Sequence, residues 1–492
     1  MTDRPNILLI FTDQHRLSGV GCYGPTPCHT PHLDALAATG VRFETAYTCC
    51  PVCSPARASI MTGLYPHQHG ILSNVHNLGC SVHELPDTPA LLSRRLQTAG
   101  YRCGYSGKWH LGSDATVTRW GSPNTPSLPK DVGFDGQNFP GHGNGGFGYP
   151  EYNAYLAQHG FSHHVLPGPA NRTPVMRYGI TTGPVESTVD YFLADNTINL
   201  IDRYAAEQQP FFIWHNFWGP HTPYYVPREF YEMYANVAIP EWPNYRWPAN
   251  AINRPHRVKV HPHMDRLTWD DWAEGIRFYY AFCTLIDQQI GRLLAHLAQR
   301  GLADNTLVVF AADHGETLGS HGGLTDKGWH HFEEIQRIPL IVRPPAALRG
   351  AHAPGTVLPQ WASLLDLYPT FLEAAGAEPA DTTPQGISLL PLLRGTATGT
   401  RDTAFVEFFG VNDLAASMIT CRADNLKYGW NAGNGDELYD LARDPHEQTN
   451  LIDEPAHAAA LAALRERLRQ FMRTTGYPTG MFNQSRMGMY NG

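Results

Sequence analysis

Short, largely apolar runs that end in polar clusters, one of them, Ile7 to Phe11, apolar at every position, place the tightest constraint on how this chain folds. Asn6 to Phe11 leads into Asp13-Gln14, Phe211 to Phe217 into Pro220-His221-Thr222-Pro223, and Leu307 to Ala312 into Asp313-His314-Gly315. A further strand-like run precedes Gly107-Lys108-Trp109-His110-Leu111-Gly112, and Ile338 to Val342 makes another. A strand apolar at every position is one buried on both faces. Helix-like segments alternate with these runs: Pro31 to Gly40, Thr88 to Gly100, and two long ones at 187–208 and 268–300. The order strand, helix, strand predicts an α/β fold, a large and mostly parallel sheet flanked by helices. In such sheets ligands gather beyond the carboxyl ends of the strands, where all of these polar clusters fall.

The 492 residues exceed what one hydrophobic core ordinarily serves, so a second, smaller domain is expected. The texture changes near residue 380, where Ala377 to Pro384 and then Gly395 to Thr400 are rich in small and turn-forming residues. The division is therefore set at 1–378 and 379–492. Beyond it, Thr403 to Phe409, Ser417 to Cys421 and Leu426 to Trp430 read as short antiparallel strands, followed by Glu437 to Leu441. Leu461, Leu464, Leu468, Phe471 and Met472 repeat at helical spacing between Pro455 and Thr475, a packing face. The smaller domain is thus α+β, and the polar tail from Tyr477 is open to disorder or to wrapping a neighbouring subunit of a homo-oligomer.

A net charge of −9 with 16% charged residues excludes a basic field able to hold nucleic acid. No stretch reaches the length of a transmembrane helix, and the six-residue apolar run before Asp13 is too short for a signal peptide. Nine scattered cysteines fit a reducing compartment. The expected location is cytoplasmic, or periplasmic or secreted if a leader has been trimmed.

Cys53-Ser54-Pro55-Ala56-Arg57, continuing into Ala58 to Gly63, sets one thiol beside a fixed turn and a cation. Together with the blocks at Asp13-Gln14, Gly107 to Gly112, Pro220 to Pro223 and Asp313 to Gly315, it resembles the sulfatases, in the same order across most of the first 345 residues. The resemblance implies that Cys53 is oxidised to formylglycine by a formylglycine-generating enzyme, and that the substrate is a small sulfate ester. It implies catalytic roles for Cys53, Arg57, Lys108, His110, His221 and Lys327. Arg57, Lys108 and Lys327 would stabilise charge on the transferring sulfuryl group, His221 with Lys327 would protonate the departing oxygen, and His110 would take a proton as sulfate leaves.

Asp13, Gln14, Asp313 and His314, with the modified Cys53, form a mainly hard ligand set suited to one divalent cation, calcium above manganese or magnesium. Many sulfatases carry a second aspartate where this chain has Gln14 and an asparagine where it has His314. That ligand set resembles choline sulfatases and phosphonate monoester hydrolases, as does Asn74, a candidate substrate contact. Phosphonate monoester hydrolases lack the Gly-Lys-Trp-His-Leu-Gly block, which favours sulfate esters here and leaves phosphodiester or phosphonate hydrolysis as the alternative. Two more distant readings stay open: a thiol oxidoreductase using the Cys50-Pro51-Val52-Cys53 spacing, and a binder of sulfate esters that does not cleave them. The stretches Gly141 to Gly146 and Tyr224 to Trp247 are expected to wall the pocket.

Overall fold

The computed structural model describes residues 4–77, 80–113, 126–162, 164–167, 176–246, 267–378, 384–397, 399, 401–411, 414–432 and 435–478. Its strands are β1 (Asn6–Asp13), β2 (Val41–Tyr47), β3 (Arg102–Gly107), β4 (Asp135–Gly136), β5 (Val165–Pro167), β6 (Tyr178–Thr181), β7 (Phe211–Pro220) and β8 (Tyr224–Pro227). In the second half follow β9 (Thr306–Ala312), β10 (Arg337–Ile338), β11 (Leu340–Arg343), β12 (Thr356–Ser363), β13 (Thr403–Val411), β14 (Leu414–Ala423), β15 (Leu426–Asn431) and β16 (Glu437–Asp440). The large sheet runs β10-β2-β11-β9-β1-β7-β3-β4, with β12 against β2; β5, β6 and β8 make a three-stranded sheet and β13 to β16 a four-stranded antiparallel one.

The centre of the large sheet is parallel, as expected. Ile7 pairs with Phe212 on one side and Leu307 on the other, and Gly107 pairs with Asn216, so β9, β1, β7 and β3 end at one level. That register delivers Asp13, Lys108, His221 and Asp313 to the same edge.

Successive side chains of β1 alternate between two cores, as the two-residue strand period requires. Ile7, Leu9 and Phe11 pack with α2 (Cys53–Thr62), α3 (Leu92–Thr98) and α6 (Leu367–Ala375). Leu8 and Ile10 pack with α1 (Pro31–Thr39), α4 (Val189–Ala206) and α5 (Trp269–Gln299). Each such residue, fully withdrawn from water, contributes about 1.5–3 kcal/mol to the sandwich of helices and sheet. Beside the four-stranded sheet lies α7 (Ala458–Thr475), with Leu461, Leu464, Leu468, Phe471 and Met472 buried against Ile419, Tyr428 and Trp430.

Three expectations are revised. The run Ile338 to Val342 is two short strands, broken at Pro339, which has no N–H to donate, and both pair antiparallel with their neighbours. The helix expected from Thr88 begins only at Leu92, because a turn closed by Leu91 N–H on the Thr88 carbonyl (3.1 Å) comes first. The segment after Cys53, read as a fixed turn, opens a ten-residue helix, with Pro55 in the first turn where its missing N–H costs nothing. The division at 378/379 adjoins residues 379–383, and the tail beyond 478 likewise lies outside the described residues. No helix among the described residues is long and apolar enough to cross a membrane.

Candidate active site

Cys53 is the first residue of α2, and Arg57 stands one turn further along the same face. One free N–H of that helix start is met from outside, Ser54 N–H donating to Asn74 Oδ1 (3.2 Å), while the Ser54 hydroxyl donates to the His110 carbonyl (2.6 Å). Gly63, at φ 70°, closes the helix in the left-handed conformation. The helix therefore presents Cys53, with its positive end, to the strand ends.

Four groups converge there. Cys53 Sγ lies 3.4 Å from His314 Nε2 and 3.7 Å from Asp13 Oδ1, and Asp13, Cys53, Asp313 and His314 each offer one ligand atom within 4.8 Å of the others. Arg57 holds the carboxylates from behind, with Nη2 at 3.0 Å from Asp13 Oδ2 and 3.3 Å from Asp313 Oδ2. Its Nη1 donates to the Lys108 carbonyl (2.9 Å) and to Asn216 Oδ1 (2.8 Å). Lys108 Nζ is 2.6 Å from Asp13 Oδ2. All of these side chains are buried.

The electrostatics follow from that crowding. Burial alone would raise the pKa of Asp13, but Lys108, His221, Arg57 and Lys327 together hold it well below the usual carboxylate range. Asp313 is pushed up to about 7 by burial and by the charge of Asp13. Two facing carboxylates that cannot both ionise freely invite a cation between them. His314 fits that cation: its Nδ1 donates to the Gly315 carbonyl (2.9 Å), which leaves the Nε2 lone pair turned to Cys53 and the carboxylates. Gln14 sits beside them at φ 62°, its Oε1 accepting from Lys327 Nζ (2.8 Å) and its amide held by Glu316 and by Asp326 Oδ1 (3.1 Å). A carbonyl oxygen has a second lone pair for a metal ion. Lys327 stays charged because Cys53, Asp326, Asp13 and Asp313 outweigh its burial.

Every residue expected from sequence lies in or beside this cluster. Asn74 commits its oxygen to Ser54, so only its NH2 is left to donate to a ligand. His221 donates Nδ1–H to the Thr222 carbonyl (2.7 Å), leaving Nε2 to the site. Burial and the cations Lys327 and Lys108 depress its pKa well below the usual range; burial, Lys108, His142 and His76 do the same to His110. Gly107, at φ 109°, admits the close approach of β7: a Cβ there would lie 1.6 Å from the Asn216 carbonyl oxygen.

Sequence reasoning left out several groups. His142, in the glycine-rich stretch expected to wall the pocket, is a third ring in the site, its centroid 5.0 Å from His110, 5.1 Å from His221 and 5.4 Å from Trp218. His76 lies against His110. Asn216 orients Arg57, and Glu316 props Gln14; a polar Asn inside an aromatic strand and the Glu after Asp313-His314-Gly315 were the signals for these two. Trp247, at the end of the second wall, lies outside the described residues. Cys50 is buried among Val52, Trp329, Phe408 and Met418, and burial with Cys49 and Glu407 raises its pKa well above the thiol range. A thiol so placed is unreactive, which removes the basis of the oxidoreductase reading. A second cluster, His321, Glu334 and Glu447, is matched by Lys427 on Glu447 and Arg16 on Glu334, an ion-pair network joining the two large parts of the chain.

A family model described as Sulfatase matches residues 5–377, and one described as N-sulphoglucosamine sulphohydrolase, C-terminal, matches residues 319–474. The chain is 30% identical over 478 residues to the uncharacterized sulfatase YidJ of Escherichia coli K12, spanning 95% of this chain and 87% of the relative. It is 29% identical to the choline-sulfatase of Rhizobium meliloti, over 94% of this chain and 86% of the relative. Among solved structures, the phosphonate monoester hydrolase of Agrobacterium radiobacter superposes with a TM-score of 0.78 at 28% identity, covering 96% of each chain.

Proposed function

The chain belongs to the sulfatase family, a family of sulfuric ester hydrolases, and on that premise we propose that it cleaves a sulfate ester at the site around Cys53. The observation that carries the reading is the seat of Cys53: a helix-borne side chain within 4.8 Å of two carboxylates and an imidazole, ringed by the buried cations Arg57, Lys108 and Lys327. In this reading Cys53 is converted to formylglycine by a formylglycine-generating enzyme, and its sulfur stands where an oxygen of that group would stand. When present, the formylglycine supplies a hydrated aldehyde as nucleophile, and a divalent cation, calcium suiting the oxygen-rich set best, draws charge from the sulfuryl oxygens.

The chain's own residues do the rest. Asp13, Gln14, Asp313 and His314 hold the cation; Arg57 fixes the two carboxylates. Lys108 and Lys327 receive the ester's anionic oxygens, and Asn74 offers its NH2 to one of them. His110, neutral and with Nδ1 buried without a hydrogen-bond partner among the described residues, is a base awaiting a proton. His221 gives its proton to the leaving oxygen. The same cations that keep it neutral in the free site are countered by the arriving anion, which raises its proton affinity when the ester binds. Nine cysteines, all free, support maturation in a reducing compartment, hence the cytoplasm.

The phosphonate monoester hydrolase likeness, with Gln14 and Asn74, favours a second activity on phosphodiesters or phosphonate monoesters. Lys108 and His110, both inside the site, favour sulfate as the first. A panel of aryl, choline and carbohydrate sulfates beside a phosphodiester and a phosphonate monoester tests this: kcat/KM should be highest for a sulfate ester, and a phosphonate or phosphodiester leading the panel would reverse the assignment.

A further inference from the structure

In a displacement at sulfur, as at phosphorus, the entering and leaving oxygens stand in line on opposite sides, and the other three oxygens form an equatorial belt that carries charge. The site has an imidazole for each end of that line: His110 for the group at Cys53, His221 for the departing oxygen. A third imidazole, His142, has no part in that division of labour yet lies between the two. Its centroid is 5.0 Å from that of His110 and 5.1 Å from that of His221, with its plane turned 75° and 73° from theirs. A ring almost equally far from both proton-handling groups is level with the middle of the line, where the equatorial oxygens sit. The charges it feels are those of the same site, Lys108, His221, Lys327 and Asp13.

The ring is held in that place. On one side of it the Gly141 carbonyl accepts from His110 N–H (3.2 Å); on the other the Gly143 carbonyl accepts from Gly146 N–H (2.8 Å) and Gly148 N–H (3.0 Å). Trp218, buried near the end of β7, backs the ring at 5.4 Å between centroids and 86° between planes. His142 is half-buried and, unlike His110, His221 and His314, hydrogen-bonds to no described residue. Burial, Lys108 and His221 push its pKa well below the usual imidazole range, against the pull of Asp13. At neutral pH it therefore carries one N–H and no charge, a donor placed where a further cation would be repelled by Lys108 and Lys327.

We propose that His142 is a further catalytic residue, its ring N–H donating to an equatorial sulfuryl oxygen of the ester. That hydrogen bond strengthens as charge builds on the oxygen, so it stabilises the transition state more than the bound ester. His142 keeps its proton throughout: ester and water still give alcohol, sulfate and one proton, with the proton transfers left to His110 and His221. This assignment rests on the sulfatase reading of the site.

Three variants test it on a series of aryl sulfates whose phenols differ in acidity. His142→Phe keeps a ring and loses the donor, His142→Ala loses both, and His142→Gln keeps an N–H. For Phe and Ala, kcat/KM should fall by about 10²- to 10³-fold, the usual loss for one donor to a developing oxyanion, and by the same factor for every phenol. Gln should stay within about tenfold of wild type. Phe and Ala both within about threefold of wild type would overturn the proposal, as would Gln no better than Phe. A loss that grows as the phenol becomes less acidic would also overturn it, placing His142 on the departing oxygen. Should Phe fail to fold, the comparison of Ala with Gln decides alone. A wild-type chain that turns over no sulfate ester would overturn the functional reading, and this assignment with it; an active wild type confines every other outcome to His142.

Discussion

Cys53 Sγ and His314 Nε2 lie 3.4 Å apart although 261 positions separate them. The parallel register of β1 and β9 brings this about, since it ends both strands at one level and leaves Asp313-His314 facing the start of α2. Cys50, three residues away, points into an apolar cluster instead. Cys53→Ala should therefore reduce sulfate-ester turnover to background, whereas Cys50→Ser should leave it unchanged. Loss of activity in Cys50→Ser with an intact fold would restore the dithiol reading.

Arg57 makes four contacts from one buried guanidinium, two of them to carboxylates. A lysine cannot reproduce that fork, and the two acids would lose their shared counter-charge. Arg57→Ala should destabilise the fold by about 3 kcal/mol or more at neutral pH, the usual cost of stranding a buried charge, read from the midpoint of urea unfolding. A midpoint equal to wild type would show that Asp13 and Asp313 do not depend on Arg57.

A cation placed between Asp13 and Asp313 relieves their repulsion in the folded chain only. Calcium at a hundredfold excess over its Kd should add about 3 kcal/mol to stability, seen as a higher Tm that a chelator reverses. With Asp13→Asn and Asp313→Asn combined, the calcium-dependent rise should vanish. An equal rise in that double variant would place the cation elsewhere.

Asp190, in the first turn of α4, is buried with Oδ1 unpartnered among the described residues, and burial pushes its pKa from 3.8 up to about 7. Between those values the folded chain holds a proton that the unfolded chain has released. Stability from this group is therefore full below about pH 4 and falls by about 1.4 kcal/mol per pH unit as pH rises toward 7. Asp190→Asn should remove that slope, so its Tm advantage over wild type should widen between pH 5 and 7. A gap independent of pH would show Asp190 to be paired.

The strand ends were legible because β1, β7 and β9 are largely apolar, β7 apart from His215 and Asn216, and break into charged or imidazole side chains where they leave the sheet. Lys108, His110, His221 and Asp313 all followed from that pattern and from the family resemblance. The helical state of α2 was not legible: nine of its ten residues are buried, so it lacks the one-sided apolar period that marks a surface helix. His76 and His142 escaped notice because each sits in a loop whose approach to His110 is set by tertiary packing, not by its neighbours in sequence. Pro339 was visible in the sequence, and its consequence, two short strands in place of one, follows from the missing donor.

Mass analysis of the proteolytic peptide Phe43–Arg57, run on the same preparation whose sulfate-ester turnover is measured, tests the central claim most directly. Cys53 should be found as the aldehyde, with turnover in proportion to the converted fraction. A fully active preparation carrying only the unmodified thiol at position 53 would contradict the account.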